Sequence, residues 1–223
     1  MEVSLITVLA LGFILGIKHA IEPDHVIAVS TIACKSKNLW HSSLAGVYWG
    51  IGHTATLFII GFIFIVMKNE ISDKWSMSLE FLVGIMLAYL GTTSILRYRG
   101  NKKHSHLDPT ESIDWNKREV SYFKSLFIGF VHGLAGSAAM VLLTMGSVNS
   151  LWQGGVYLLI FGLGTITGML LFTTVLGLPF VLSKNRFTLN RSLIMTTGVI
   201  SIVFGIYYMY NLGFSEGLFK LWI

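Results

Sequence analysis

The sequence has one cysteine, three prolines and little charge among its 223 residues. A lone Cys34 excludes a structural disulfide within the chain. It also argues against a membrane carrier of thiol–disulfide exchange, which would need two thiols. No Gly-x4-Gly-Lys-Ser/Thr phosphate loop occurs anywhere, so ATP hydrolysis by this chain alone is not expected. The first apolar run lacks a basic leader, with Glu2 in its place. No small-residue cleavage site follows it, so it is expected to be retained. Charged residues are 12% of the chain, against about 25% in soluble domains.

What is present is apolar length. Hydrophobic residues make up 53% of the chain, and the mean hydropathy is +0.69. A membrane span needs about 20 mostly apolar residues. Six stretches qualify: Val3–Ala33, Ser43–Met67, Met77–Leu96, Tyr122–Gly146, Gly154–Leu182 and Ser192–Leu212. One hydrophilic segment, Arg97–Lys124, and short connections remain. The expected fold is an all-α polytopic membrane protein with six transmembrane helices. It forms a single transmembrane domain over residues 1–223, with no room for a separate soluble unit.

The positive charges set its orientation. Connections after the first, third and fifth spans hold twelve of the sixteen Lys and Arg residues, and the opposite side holds Lys68, Lys74 and Lys220. The excess of basic residues marks the cytoplasmic side. Both termini are therefore expected outside and the 97–124 loop in the cytoplasm of a prokaryotic cell. A net charge of +5 distributed this way is no sign of a nucleic-acid partner. Lys18 alone is left inside the membrane.

The chain also repeats itself. Gly16-Ile17-Lys18-His19 aligns with Gly129-Phe130-Val131-His132. Trp49-Gly50-Ile51-Gly52 aligns with Phe161-Gly162-Leu163-Gly164, and Gly84 with Gly91 aligns with Gly198 with Gly205. All three matches fall at an offset of 112 to 114 residues. Three spans per half make the halves enter from opposite sides, the inverted-repeat arrangement of many secondary transporters. The expected division is repeat 1 over about 1–97 and repeat 2 over about 122–223.

The polar residues are concentrated in the first span. Residues 18 to 25 read Lys-His-Ala-Ile-Glu-Pro-Asp-His, at a depth where one charge costs about 2.5 kcal/mol or more. In an unbroken helix Asp24 would lie about 140° from His19, and His25 about 240°. Pro23 removes a backbone donor and disfavours helical geometry at Glu22. The first helix is therefore expected to break near Pro23, letting His19, Asp24 and His25 converge. Length agrees, since one helix from Val3 to Ala33 would reach about 46 Å across a roughly 30 Å core.

Imidazole and carboxylate together suit Ni²⁺, Co²⁺ and Zn²⁺. His53 follows Gly50 and Gly52, whose small size allows close helix approach, and it is a candidate fourth ligand. His132 reads either as a pathway residue of the second half or as a packed histidine bonded to Ser137 or a carbonyl. Asp24 could instead pair with Lys18, and Glu22 could be a ligand, a proton acceptor or the partner of Lys18. His104 and His106 could collect metal in the cytoplasmic loop, or simply be solvated there. Thr165, at the place corresponding to His53, reads as a packing hydroxyl. His41 and the tryptophans Trp40, Trp49, Trp75, Trp152 and Trp222 read as interfacial.

At these residues the chain resembles the nickel/cobalt transporter family. That family carries a His, four residues, then Asp-His in a transmembrane helix, here His19 to Asp24-His25. Its glycine–histidine signature is matched by Trp49-Gly-Ile-Gly-His53-Thr54. The short length and His132-Gly-Leu-Ala-Gly-Ser137 resemble its compact urease-accessory branch, the UreH-type nickel permeases. Larger members have eight spans. The resemblance implies metal-binding roles for His19, Asp24, His25 and His53, with His132 as a fifth. It also implies nickel as the preferred cargo and cytoplasmic nickel chaperones or urease assembly as partners. No permanently bound cofactor is expected; Ni²⁺ or Co²⁺ is the substrate.

The expected function is a secondary transporter that imports a divalent transition metal. An inside-negative potential of 100 mV contributes about 4.6 kcal/mol for a divalent ion, roughly a thousandfold accumulation. Protons should compete for the imidazoles, so uptake should fall below about pH 6.5. The alternatives are an exporter on the same scaffold and a substrate-binding subunit for a separate ATPase. A membrane metalloenzyme would need a His-Glu-x-x-His pair or further His clusters, which the sequence lacks. A serine dyad of His132 and Ser137 has no support beyond its spacing.

Overall fold

The computed structural model describes residues 5–34, 36, 38–67, 72–104, 121–147 and 150–223, with the side chains of 97–104 and 136–147 left aside. The described residues form helices and no strand. In order these are α1 (Leu5–His19), α2 (Pro23–Ala33), α3 (Leu39–Met67), α4 (Asp73–His104), α5 (Tyr122–Ser147), α6 (Leu151–Leu182) and α7 (Phe187–Tyr210). A π-helical turn, Asn211–Ser215, prolongs α7, and a short α8 (Leu218–Trp222) follows.

The first apolar segment is broken near Pro23. Axes α1 and α2 differ by 57°, with Ala20–Glu22 between them. Glu22 is extended (φ −61°, ψ 146°), and Pro23 opens α2, where its missing N–H leaves no hydrogen bond unmade. Asp24 then occupies the first turn of α2, where the helix dipole favours a negative charge.

Among the described residues, four helical segments are long and apolar enough to cross a membrane: α3, α4 as far as Leu96, α6, and α7 extended to Ser215. Counted as one broken span, the bent pair α1–α2 is a fifth candidate. The protein is thus an integral membrane protein. Helix α5 has 26 residues, enough for a span by length, but nearly half of it, from residue 136 on, lies outside the described side chains. One expectation needs correcting. The hydrophilic segment expected from Arg97 begins as helix, because α4 runs on to His104.

Many large apolar side chains face outward, as Ile59, Ile63 and Val66 do on α3, while Gly46, Gly50, His53 and Thr56 of the same helix are buried. Lipid supplies no hydrophobic drive between helices, so small residues that admit close backbones hold the bundle together. Helix α3 packs on α5 and α6, α1 on α6, and α4 on α7. A Cβ on Gly16 would strike the carbonyl of Phe161, and one on Gly129 would strike the carbonyl of Trp49. On the α4–α7 crossing Gly84 meets Gly205, and Gly91 meets Gly198. Each contact maps onto its partner under the offset of 112 to 114 residues seen in the sequence.

Candidate metal centre

The break between α1 and α2 delivers three of the site's side chains. His19 ends α1, and Asp24 and His25 open α2. His53 comes from the middle of α3 and His132 from α5. His25, His53 and His132 are each no more than 1% exposed. The side chain of His19 is 12% exposed and that of Asp24 21%.

These side chains form two overlapping triads. His19, His25 and His53 can each offer a ligand atom within 4.8 Å of the others, and so can Asp24, His25 and His132. His25 belongs to both. Its Nδ1–H donates to Asp24 Oδ1 at 3.1 Å, and His132 Nε2–H donates to Asp24 Oδ2 at 2.9 Å. The Nε2 atoms of His19 and His53 lie 3.0 Å apart. Two nitrogens on one cation at about 2.0–2.1 Å, meeting at about 90°, would be separated by about the same distance. His19 Nδ1 is held by Glu22 Oε2 at 2.9 Å, the kind of outer contact that orients a ligating imidazole.

Three imidazole nitrogens, His25 Nε2, His53 Nδ1 and His132 Nδ1, are buried without a partner among the described residues. A buried polar atom left unpaired costs about 1–3 kcal/mol. Four imidazoles and a carboxylate in one cluster form a donor set for borderline divalent ions such as Ni²⁺, Co²⁺ or Zn²⁺.

Of the sequence-selected residues, His19, Asp24, His25, His53 and His132 are brought together. His132 bonds to Asp24. Asp24 takes two imidazoles, and Lys18 is exposed instead of pairing within the cluster. Glu22, half-exposed, belongs through His19. Thr165 donates to the Phe161 carbonyl of its own helix, the packing role expected of it. His41 stacks beside Tyr122, away from the cluster. His104 and His106 lie outside the described side chains.

Two residues were misjudged or missed. Trp49, expected at the interface, is fully buried, because α3 starts at Leu39 and places it three turns inside. Its indole stacks on His25 (ring centroids 6.2 Å apart, planes 7° apart) and meets the His132 ring edge-on at 5.5 Å. Trp40, Trp75, Trp152 and Trp222 do stay exposed near helix ends. Glu80 was missed. It lies within α4 and accepts from Ser76 and from the Tyr208 hydroxyl at 3.3 Å each. Its signal was a carboxylate inside an apolar span.

Comparison with known proteins follows the same lines. Residues 26–207 match the family described as the cytochrome c biogenesis protein transmembrane region. The chain is 59% identical over 225 residues to the urease accessory protein UreH of Bacillus sp. strain TB-90, covering 100% of this chain and 99% of that one. It is 28% identical over 209 residues to a Methanocaldococcus jannaschii protein provisionally named a nickel/cobalt efflux system, covering 88% and 89%. It is 26% identical over 186 residues to the chloroplast protein FOR GROWTH AND FERTILITY 1 of Arabidopsis thaliana, covering 74% of this chain and 48% of that protein. No solved structure matches it.

Proposed function

Because this chain belongs to the family of the urease accessory protein UreH, within the cytochrome c biogenesis transmembrane-region family, we propose that it is a permease importing a divalent transition metal, Ni²⁺ foremost, across a prokaryotic cytoplasmic membrane. The observation that carries this reading is the buried cluster of His19, Asp24, His25, His53 and His132. Such a cluster is expensive inside a bilayer unless it binds something. Nickel is favoured over cobalt by the name of the UreH relative, and urease assembly as the consumer rests on the same name.

The transporter is a single unit of six spans in two inverted halves. The paired contacts Gly16–Phe161 with Gly129–Trp49, and Gly84–Gly205 with Gly91–Gly198, support that arrangement. Both termini are outside, the side that the excess of basic residues disfavours. The ion arrives from outside, loses part of its water and is taken by the imidazoles. One half then rocks against the other about the α3–α6 and α4–α7 contacts, and the ion leaves toward the basic 97–124 segment. The membrane potential supplies the driving force.

The provisional name of the Methanocaldococcus jannaschii relative favours a second reading, outward transport on the same scaffold. The test is ⁶³Ni²⁺ flux in proteoliposomes holding the purified protein in known orientation, with and without an imposed potential, beside His19→Ala and Asp24→Asn. Import driven by potential and sharply reduced in both variants is the expected result. Flux only outward would install the second reading. No flux of Ni²⁺ or Co²⁺ in either direction by folded protein would sink both.

A further inference from the structure

The five ligand candidates do not surround one point; they form two triads that share His25. Resting on the metal-transport reading, we propose that a single divalent cation occupies two successive positions in this cage. One lies among His19, His25 and His53, the other among Asp24, His25 and His132, and His25 hands the ion across.

The arrangement of atoms carries this. A neutral imidazole has one lone pair and one N–H. The His25 Nδ1–H is committed to Asp24 at 3.1 Å, so its lone pair lies on Nε2, which is buried without a partner among the described residues. A neutral His25 therefore has one lone pair to offer, to one triad at a time. The Asp24 triad is closed by hydrogen bonds, since His132 also donates its Nε2–H to the carboxylate. An ion held by Asp24 and the His25 Nδ1 requires the opposite tautomer, with the proton on Nε2. One ring cannot serve both positions at once, and two divalent ions a few ångströms apart would repel strongly. The occupancy is therefore one ion in either place.

The helices give the two positions different mechanical roles. His19, His25 and His53 all come from the first half of the chain. The second triad joins α2 to α5 through a bond between residues 108 apart. Movement of α2 away from α5 would break it. The first triad is then the capture position, and the second is the one coupled to motion. Trp49 packs on both His25 and His132, walling the place where the ion changes partners.

The test uses Co²⁺ as a spectroscopic probe on the full-length purified protein. Wild type should bind one Co²⁺ per chain. His53→Gln and His132→Gln, which keep most of the side-chain volume, should each still bind one, weakened about 10- to 100-fold and with visible spectra that differ from each other. Both should lose flux, and His25→Gln should bind none. X-ray absorption of the Ni²⁺-loaded wild type, which needs no variant, should give no more than three imidazoles on the metal. Four imidazoles on one ion, two ions per chain, or complete loss of binding in either His53→Gln or His132→Gln would overturn the two-position cage while leaving metal transport standing. Wild type that binds neither Co²⁺ nor Ni²⁺ would overturn the transport reading as well.

Discussion

Asp24→Asn is the substitution whose effect can be worked out most fully. The carboxylate accepts from His25 and His132 through different oxygens, at 3.1 and 2.9 Å. Asparagine keeps one acceptor and replaces the other with an NH₂ group, which cannot accept an N–H. One charge-assisted bond is lost, about 1.5–3 kcal/mol, and the remaining one is weakened because the charge is gone. One imidazole must then change tautomer or turn away. At about 1.4 kcal/mol per tenfold, the lost bond alone predicts a 10- to 100-fold rise in the KM for Ni²⁺ uptake. The assay is initial-rate ⁶³Ni²⁺ uptake by proteoliposomes at fixed potential, with folding checked by size exclusion and helical circular dichroism. Asp24→Glu, which keeps the charge, should lose less than Asp24→Asn. A KM within about twofold of wild type for folded Asp24→Asn would refute the role given to this carboxylate.

Other outcomes follow from single contacts. Gly91→Leu should destabilise the fold severely, because even a Cβ there meets the Gly198 carbonyl and Ile202 across the α4–α7 crossing. Thermal unfolding in detergent should show a large drop, and an unchanged melting temperature would contradict the packing. Lys18→Gln should leave uptake within about twofold, since the lysine is exposed and Asp24 is bonded to histidines. A strong loss would restore Lys18 as a partner of the site. Uptake should decline from about pH 7.5 to 5.5, because protons and metal compete for imidazole lone pairs. A flat profile would remove histidine from the rate-determining capture.

Local chemistry made much of this protein legible from sequence. Apolar length marks the spans because every backbone polar group in lipid must be satisfied within helices. The break at Pro23 follows from a missing N–H and a restricted Glu22, and the extended Glu22 with a bent α1–α2 pair is its structural form. The ligand candidates stood out because ionisable groups are rare at such depth. The recurring glycines indicated where helices approach, since a side chain there would collide with a facing backbone.

Tertiary packing decided the rest. Sequence left His132 open, because its partner Asp24 is 108 residues away, and no local pattern reports which helix faces which. Trp49 reads the same by composition at a membrane interface or in a core. Only the start of α3 at Leu39 and the placement of His25 against its ring settle that it is buried. Glu80 and Tyr208 sit on separate helices and meet only because α4 crosses α7. The grouping of five ligand candidates into two triads around a shared His25 is likewise a matter of distances between helices. The sequence by itself determined which side chains are costly in a bilayer, since that cost belongs to each residue; which of them share a proton is set by the packing that brings them within reach.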